Sequence, residues 1–179
     1  MSRLTSIAAS ALLVLGADAA SAQKPTQAPA RNRPLVAMID RYLRDPLNID
    51  LGGAVMDSGD ARHEVTMVLA SEVMPWTCYA DTNATLKALD QVLSVAYVAG
   101  NMRAQLTADT NANDPRAGVA AVLQVYPLLK MKFPRYVVPE VEHWFSTPPA
   151  ARNALADSLA RHPTECPNQA PRYRQAVSP

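Results

Sequence analysis

The chain has 179 residues, and its 17 lysines and arginines against 16 aspartates and glutamates give a formal net charge of +1. Hydrophobic residues make up 49% of it but aromatic residues only 6%, and the excess of alanine, leucine, valine and methionine favours helices over a β-sandwich. A charge this close to zero, without a dense basic stripe interleaved with aromatics, argues against nucleic acid as a partner.

The first part of the chain, residues 1–22, is predicted to be a secretory signal peptide. A cationic start at Arg3 precedes an apolar run over residues 7–15 and the small-x-small sequence Ala20-Ser21-Ala22, which signal peptidase cleaves. The apolar run is well short of the roughly 20 residues that span a bilayer, so an uncleaved anchor is the weaker alternative. We therefore predict an exported protein, periplasmic or extracellular, that starts at Gln23 and has no transmembrane segment after cleavage.

The mature chain is predicted to consist of a domain between two flexible ends. Residues 23–33 are proline-rich and almost free of large apolar side chains, which predicts a flexible lead-in. Residues 34–166 form the predicted helical domain, whose 11 basic and 15 acidic side chains give a net charge of −4. Residues 167–179 form a predicted flexible tail that carries arginines and no acid. Solubility and disorder explain the two basic ends.

The first helix is predicted from the apolar spacing of residues 35–43. Pro34 suits the first helical position, and Asp40 and Arg44 are spaced for an ion pair along the helix. The sequence Asp45-Pro46 ends the helix because the residue before a proline disfavours helical dihedral angles.

The next stretch, residues 47–59, is predicted to be an ordered loop. Its apolar residues alternate before Gly52-Gly53, which is also typical of a short hairpin. A second helix is predicted over residues 61–73, with a strand as the alternative because several of its apolar residues also alternate.

The best-defined predicted helix extends from about Ala84 to Leu106, with Thr82 or Asn83 as its N-cap. Apolar residues cover more than half of its circumference, which predicts a central position in the fold. Ala96 and Gly100 lie four residues apart on one face, where a neighbouring helix can approach closely.

Three further helices are predicted from proline and cap signals. Asp114-Pro115 is an N-cap followed by proline and opens a helix that continues toward Lys130, with Pro127 expected to kink or break it. Two shorter helices are predicted over Pro139–Phe145 and Pro148–Arg161. Together these elements predict an all-α, single-domain bundle of five or six helices around the central helix.

The two cysteines, Cys78 and Cys166, are predicted to form a disulfide bond. The predicted export places them in a compartment where disulfides form and persist. Neither cysteine belongs to a spaced metal-binding cluster, so a metal pair is the weaker alternative. Two unpaired thiols remain the other possibility.

Candidate catalytic residues are His63, Glu72, Glu140 and His143. Glu140 and His143 have the Glu-x-x-His spacing that binds metals in helical bundles, but the chain lacks the second such motif that a di-metal site needs. His63 begins like a zinc-protease motif, but Met67 stands where the second histidine is required. Glu72 is predicted at the rim of a core, where a raised pKa is the functional alternative. We predict no metal site and no cofactor.

The densest aromatic cluster contains Tyr136, Trp144 and Phe145, which are the candidate partner-binding residues. Aromatic side chains anchor protein interfaces, but they also fill cores. Because the chain has few other aromatic residues to fill its interior, core packing is the favoured interpretation.

The function that the sequence favours is a non-catalytic binding module that holds a partner protein or a small apolar ligand. No nucleophile elbow, Ser-x-x-Lys motif or phosphate-binding glycine loop occurs in the chain, which favours binding over catalysis. The alternative is a hydrolase of envelope material that uses the dispersed histidines and glutamates.

Overall fold

The computed structural model describes residues 27–61, 76 and 83–161. These residues contain helices and no strand, which confirms the prediction of an all-α chain. The helices, in chain order, are α1 (Arg33–Arg44), α2 (Ile49–Asp60), α3 (Ala84–Ala108), α4 (Pro115–Lys132), α5 (Pro139–Ser146) and α6 (Pro149–Arg161). None of these helices is both long enough and apolar enough to cross a membrane.

Several predicted features lie outside the described residues. They are the signal peptide, the basic tail, nearly all of the helix predicted over residues 61–73, and both cysteines of the predicted disulfide, Cys78 and Cys166.

Side-chain caps start three of the helices. The Asn83 side chain accepts a hydrogen bond from the Leu86 backbone N–H over 3.1 Å, so of the two predicted caps of α3 it is Asn83 that acts. Asp114 caps α4 in the same way, 3.0 Å from the Ala117 backbone nitrogen, which confirms the predicted start. Each cap satisfies one of the backbone donors that the first turn of a helix leaves without an internal partner.

The prediction of a loop over residues 47–59 is wrong, and so is the hairpin alternative, because helix α2 occupies this stretch. The Asn48 side chain caps α2 by accepting from the Leu51 backbone N–H over 3.0 Å. Gly52 lies against the Tyr42 ring of α1, where an added Cβ would be 3.0 Å from the ring. Glycine weakens a helix, but here it allows two helices to pack closely, and that packing outweighs the local propensity.

Helix α3 lies at the centre of the described fold, as predicted, and packs against α1, α2 and α4. Gly100 is the point of closest approach to α4, because an added Cβ would be 2.5 Å from the Ala117 carbonyl oxygen. Gly118 of α4 lies against the Tyr97 ring of α3, and an added Cβ there would be 2.5 Å from the ring. The predicted close approach at Gly100 is therefore confirmed.

Helix α4 runs from Pro115 to Lys132 without a break at Pro127, so of the two predicted outcomes, a kink or a break, the break is wrong. Pro127 is exposed, and water can therefore reach the part of the backbone where its missing N–H leaves a carbonyl without a partner.

The ion pair predicted between Asp40 and Arg44 is also wrong. Asp40 pairs with Arg103 of α3, whose Nε lies 2.6 Å from the Asp40 Oδ1. The contact between α1 and α3 brings the two charges together across 63 positions of sequence, and a local spacing rule cannot detect such a pair.

Residues 27–32, at the end of the predicted flexible lead-in, lie against the C-terminal part of α3. The buried Asn32 side chain donates to the Leu106 carbonyl oxygen over 2.9 Å. Arg31 forms an ion pair of 2.7 Å with Asp109. Packed structure in the described residues therefore starts several residues before α1.

Candidate binding groove

Two neighbouring surface depressions flank the ion pair between Asp40 and Arg103, the first between α1, α3 and residues 27–28, and the second between α1, α3 and α4. We call them together the arginine groove. Its first part, about 680 Å³, is lined by Gln27, Ala28, Arg33, Val36, Ala37, Asp40, Arg103 and Thr107. Its second part, about 520 Å³, is lined by Asp40, Leu43, Arg44, Gly100, Arg103, Ala104, Ala117, Ala120, Ala121 and Gln124. Because both parts share Asp40 and Arg103, the ion pair stands between them.

Five of the ten residues that line the second part of the arginine groove are alanine or glycine. Ala104 of α3 and Ala117, Ala120 and Ala121 of α4 leave room between the helices that larger side chains would fill. Gly100 lies among them, at the closest approach of the two helices. The same small residues that let α3 and α4 pack tightly thus leave an open strip of alanine side chains beside α1.

Three arginines line the arginine groove beside a single acid, Asp40. Arg103 contacts Asp40 through its Nε alone, at 2.6 Å. Arg33 donates from its Nε to the Ala28 carbonyl oxygen over 3.1 Å. Arg44 makes no ion pair or hydrogen bond to any residue that the structure describes. Among the residues that the structure describes, none bonds the terminal guanidinium nitrogens of these three arginines.

A buried network of amide side chains fixes the connection between α3 and α4. The Gln105 side chain donates to the Asn101 Oδ1 over 2.8 Å, and the Asp114 backbone N–H donates to the same oxygen over 3.0 Å. Asn101 in turn donates from its Nδ2 to the Asn113 side chain. Fully satisfied polar networks of this kind rigidify the surrounding structure, so the two helices that carry the floor of the groove are held in place.

The Tyr97 ring lies between α3 and α4 and is fully buried. Burial, and next the negative charge of Asp114, raise the pKa of Tyr97 to about 12. The phenol therefore stays neutral at physiological pH and serves packing between the helices.

A second polar cluster lies on the opposite side of α4, where α5 covers it. The Tyr126 hydroxyl donates to the Glu142 Oε1 over 2.8 Å and accepts from the buried Val138 backbone N–H over 3.1 Å. The Lys130 Nζ lies 2.6 Å from the same Glu142 oxygen. The hydrogen bond from Lys130, and next the one from Tyr126, lower the pKa of the Glu142 carboxyl.

The structure brings the candidate catalytic residues to no common site that can be described. His63 and Glu72 lie outside the described residues. Glu140 is half-buried and His143 exposed on α5. In residues 27–61, 76 and 83–161, no three histidine, cysteine or acidic side chains are grouped as a metal site requires.

The three candidate partner-binding aromatics differ in exposure. Tyr136 is buried, and its hydroxyl donates to the Asp90 Oδ1 over 2.8 Å. Trp144 is also buried, with its ring edge-on to Trp76 at a centroid distance of 5.7 Å. Phe145 is 43% exposed, so it is the one member of the cluster whose ring a partner can reach in this conformation.

The arginines of the groove were not identified from the sequence, although part of the signal was present. Arg33, Asp40 and Arg44 share one face of a helix, because their spacings of seven and eleven residues return close to the same angle. The predicted pair between Asp40 and Arg44 accounted for these charges within α1, so they did not indicate a binding surface. Arg103 joins them only through the packing of α3 on α1.

Comparison of the chain with protein-family models, with curated proteins and with solved structures gives no match.

Proposed function

We propose that this is an exported, non-catalytic binding module that holds a partner protein or a small apolar ligand in the arginine groove. The observation that carries the proposal is an open groove whose small-residue floor lies between α1, α3 and α4. Binding sites are typically concave and mostly apolar, with a few polar groups that orient the ligand. Alanine methyl groups and arginine donors supply these two components here.

The groove is suited to binding because its walls are set by tight packing. The contact of Gly100 with Ala117 fixes the distance between α3 and α4, and the Asn101 network fixes the turn that joins them. A preformed groove loses little conformational entropy when a ligand enters, which favours affinity.

Export and the disulfide belong to the same proposal. Protein purified from the envelope or the medium should begin at Gln23, which N-terminal sequencing and intact mass would establish. Free-thiol counting on that protein, unfolded but not reduced, should find no thiol if Cys78 and Cys166 are joined. A chain that starts at Met1 would contradict cleavage of the signal peptide. Two free thiols would contradict the disulfide.

The groove can be tested with anilinonaphthalene sulfonate, an apolar anionic dye whose fluorescence rises in apolar surroundings. We expect saturable binding of the dye to the native protein. Ala120→Leu places a larger side chain in the groove and should weaken dye binding at least fivefold. Ala154→Leu is the matched control, because Ala154 is an exposed alanine of α6 that does not line the groove.

Thermal melting of both variants accompanies the titrations, since the dye also binds partly unfolded protein. Equal dye binding by the two folded leucine variants would show that the groove is not the binding site. The proposed function would then be wrong for this surface.

A further inference from the structure

The arginine groove is cationic, whereas the described residues around it are nearly neutral. Arg33, Arg44 and Arg103 stand against Asp40 alone, so the lining charges sum to +2. The other described residues carry 9 basic and 10 acidic side chains, which is −1. Such a local concentration of positive charge attracts an anionic ligand to the groove.

The groove is long. Arg33 and Arg44 lie at the two ends of α1, eleven residues apart, which corresponds to about 16 Å along a helix. Arg103 contacts α1 between them, at Asp40. An extended peptide rises about 3.3 Å per residue, so roughly five residues of peptide match this length.

Resting on the proposed function, we propose that the ligand is an acidic peptide segment of a partner protein, bound extended along α1 with its carboxylates on Arg33, Arg103 and Arg44. A guanidinium presents a planar fork of donors that matches a carboxylate in bidentate geometry. Within the described residues, the terminal nitrogens of these three arginines are the donors left available. The alanines of the floor leave the close access that a peptide backbone needs.

Asp40 is the one acidic residue that lines the arginine groove. It contacts Arg103 through the Nε alone, so a peptide carboxylate can add to the terminal nitrogens of Arg103 without breaking the pair. Its negative charge nevertheless opposes an acidic ligand. Removing that charge should therefore strengthen binding rather than weaken it.

The test measures fluorescence anisotropy of a labelled five-residue peptide, Glu-Ala-Glu-Ala-Glu, with the native protein at low salt. We expect saturable binding that weakens at least fivefold when salt is raised, because the contacts are ionic and exposed. The matched peptide Gln-Ala-Gln-Ala-Gln, which lacks the charges, should bind at least tenfold more weakly. The acidic peptide should also displace anilinonaphthalene sulfonate from the groove.

Charge variants of α1 assign the binding to the groove. Arg44→Gln should weaken peptide binding at least fivefold, and Asp40→Asn should strengthen it about threefold. Arg41→Gln is the matched control, since it removes the same charge from the same helix at an exposed position that does not line the groove. It should change binding less than twofold.

Equal losses in Arg44→Gln and Arg41→Gln would overturn the proposal, because binding would then follow net charge and not the groove. Equal binding of the glutamine peptide would overturn it too. If the dye binds the groove while the acidic peptide neither binds nor displaces it, the peptide assignment is wrong and the proposed function stands. If neither the dye nor the peptide binds, both are wrong.

Discussion

The two sides of α4 show how one helix can be closed on one face and open on the other. Toward α1, its residues Ala117, Ala120 and Gln124 leave the arginine groove unfilled. Toward α5, the Tyr126 ring lies 6.0 Å from the Phe145 ring, and its hydroxyl bonds Glu142. Large aromatic side chains fill the space between helices and small ones do not, so side-chain volume decides which face closes.

Two arginine–aspartate pairs repeat this contrast in their hydrogen bonds. Arg116 of α4 donates two hydrogen bonds to the Asp157 carboxylate of α6, from Nε over 2.8 Å and from Nη2 over 2.6 Å. Arg103 contacts Asp40 through one bond. The bidentate pair leaves few donors for anything else, whereas the single bond leaves Arg103 able to bind a ligand. The first pair therefore joins helices, and we assign the second to recognition.

The largest effect is expected where α3 meets α4 beneath the groove. Gly100→Ala places a Cβ 2.5 Å from the Ala117 carbonyl oxygen, a backbone atom that cannot rotate away. We expect chemical denaturation to show a loss of about 2 to 3 kcal/mol of unfolding free energy. The control Gly53→Ala meets no atom within 4 Å and should gain up to about 1 kcal/mol from helix propensity. Equal changes in both variants would contradict the close approach.

The second-largest effect is expected on the face of α4 that α5 covers. Tyr126→Phe removes the acceptor of the buried Val138 backbone N–H and a donor to Glu142. An unsatisfied buried donor is costly, so we expect urea denaturation to show a loss of about 1 to 2 kcal/mol. Tyr136→Phe is the matched control, because the Asp90 carboxylate that it leaves is partly exposed and water can replace the hydroxyl. If Tyr136→Phe lost more unfolding free energy than Tyr126→Phe, the Tyr126 hydroxyl would not be the more important of the two.

The Lys130–Glu142 pair predicts a pH-dependent contribution to stability. The folded state lowers the pKa of Glu142, so the stabilisation is present above the unfolded pKa of about 4.3 and is lost as pH falls through the lower folded value. Glu142→Gln should lower the Tm slightly at pH 7, and the difference from the native protein should close below about pH 4. In the Lys130→Met background, Glu142→Gln should show little of this dependence of the Tm difference on pH. A difference that is constant with pH would contradict the pairing.

The smallest effect separates the Arg116–Asp157 pair from the Arg103–Asp40 pair. Hydrogen bonding by Arg116 lowers the pKa of the half-buried Asp157 carboxyl, and Asp157→Asn removes that charged interaction. We expect a slight decrease in Tm at pH 7 that fades in acid, with dye and peptide binding unchanged. Asp40→Asn should do the opposite, changing peptide binding and leaving the Tm nearly unaltered. Differential scanning fluorimetry and the two binding titrations, run on both variants, test this difference. A change of peptide binding in Asp157→Asn but not in Asp40→Asn would contradict it.

Local signals in the sequence were sufficient for most helix boundaries. The caps at Asn83 and Asp114 and the proline at 139 act within a few residues, so their chemistry can be read from neighbours alone. Helix α2 was missed because its glycines argue locally against a helix. The role of Gly52 depends on the Tyr42 ring, which lies on another helix.

What the sequence by itself determined is the helical class, the central position of α3 and the close approach at Gly100, because periodicity, caps and small residues are local properties of the chain. Only the tertiary structure decided that Asp40 pairs with Arg103 and that Arg33 and Arg44 face the same groove. The physical reason is that a charge has many possible partners along a chain. Packing of α1 on α3 and α4 selects one of them and leaves the others at an open surface.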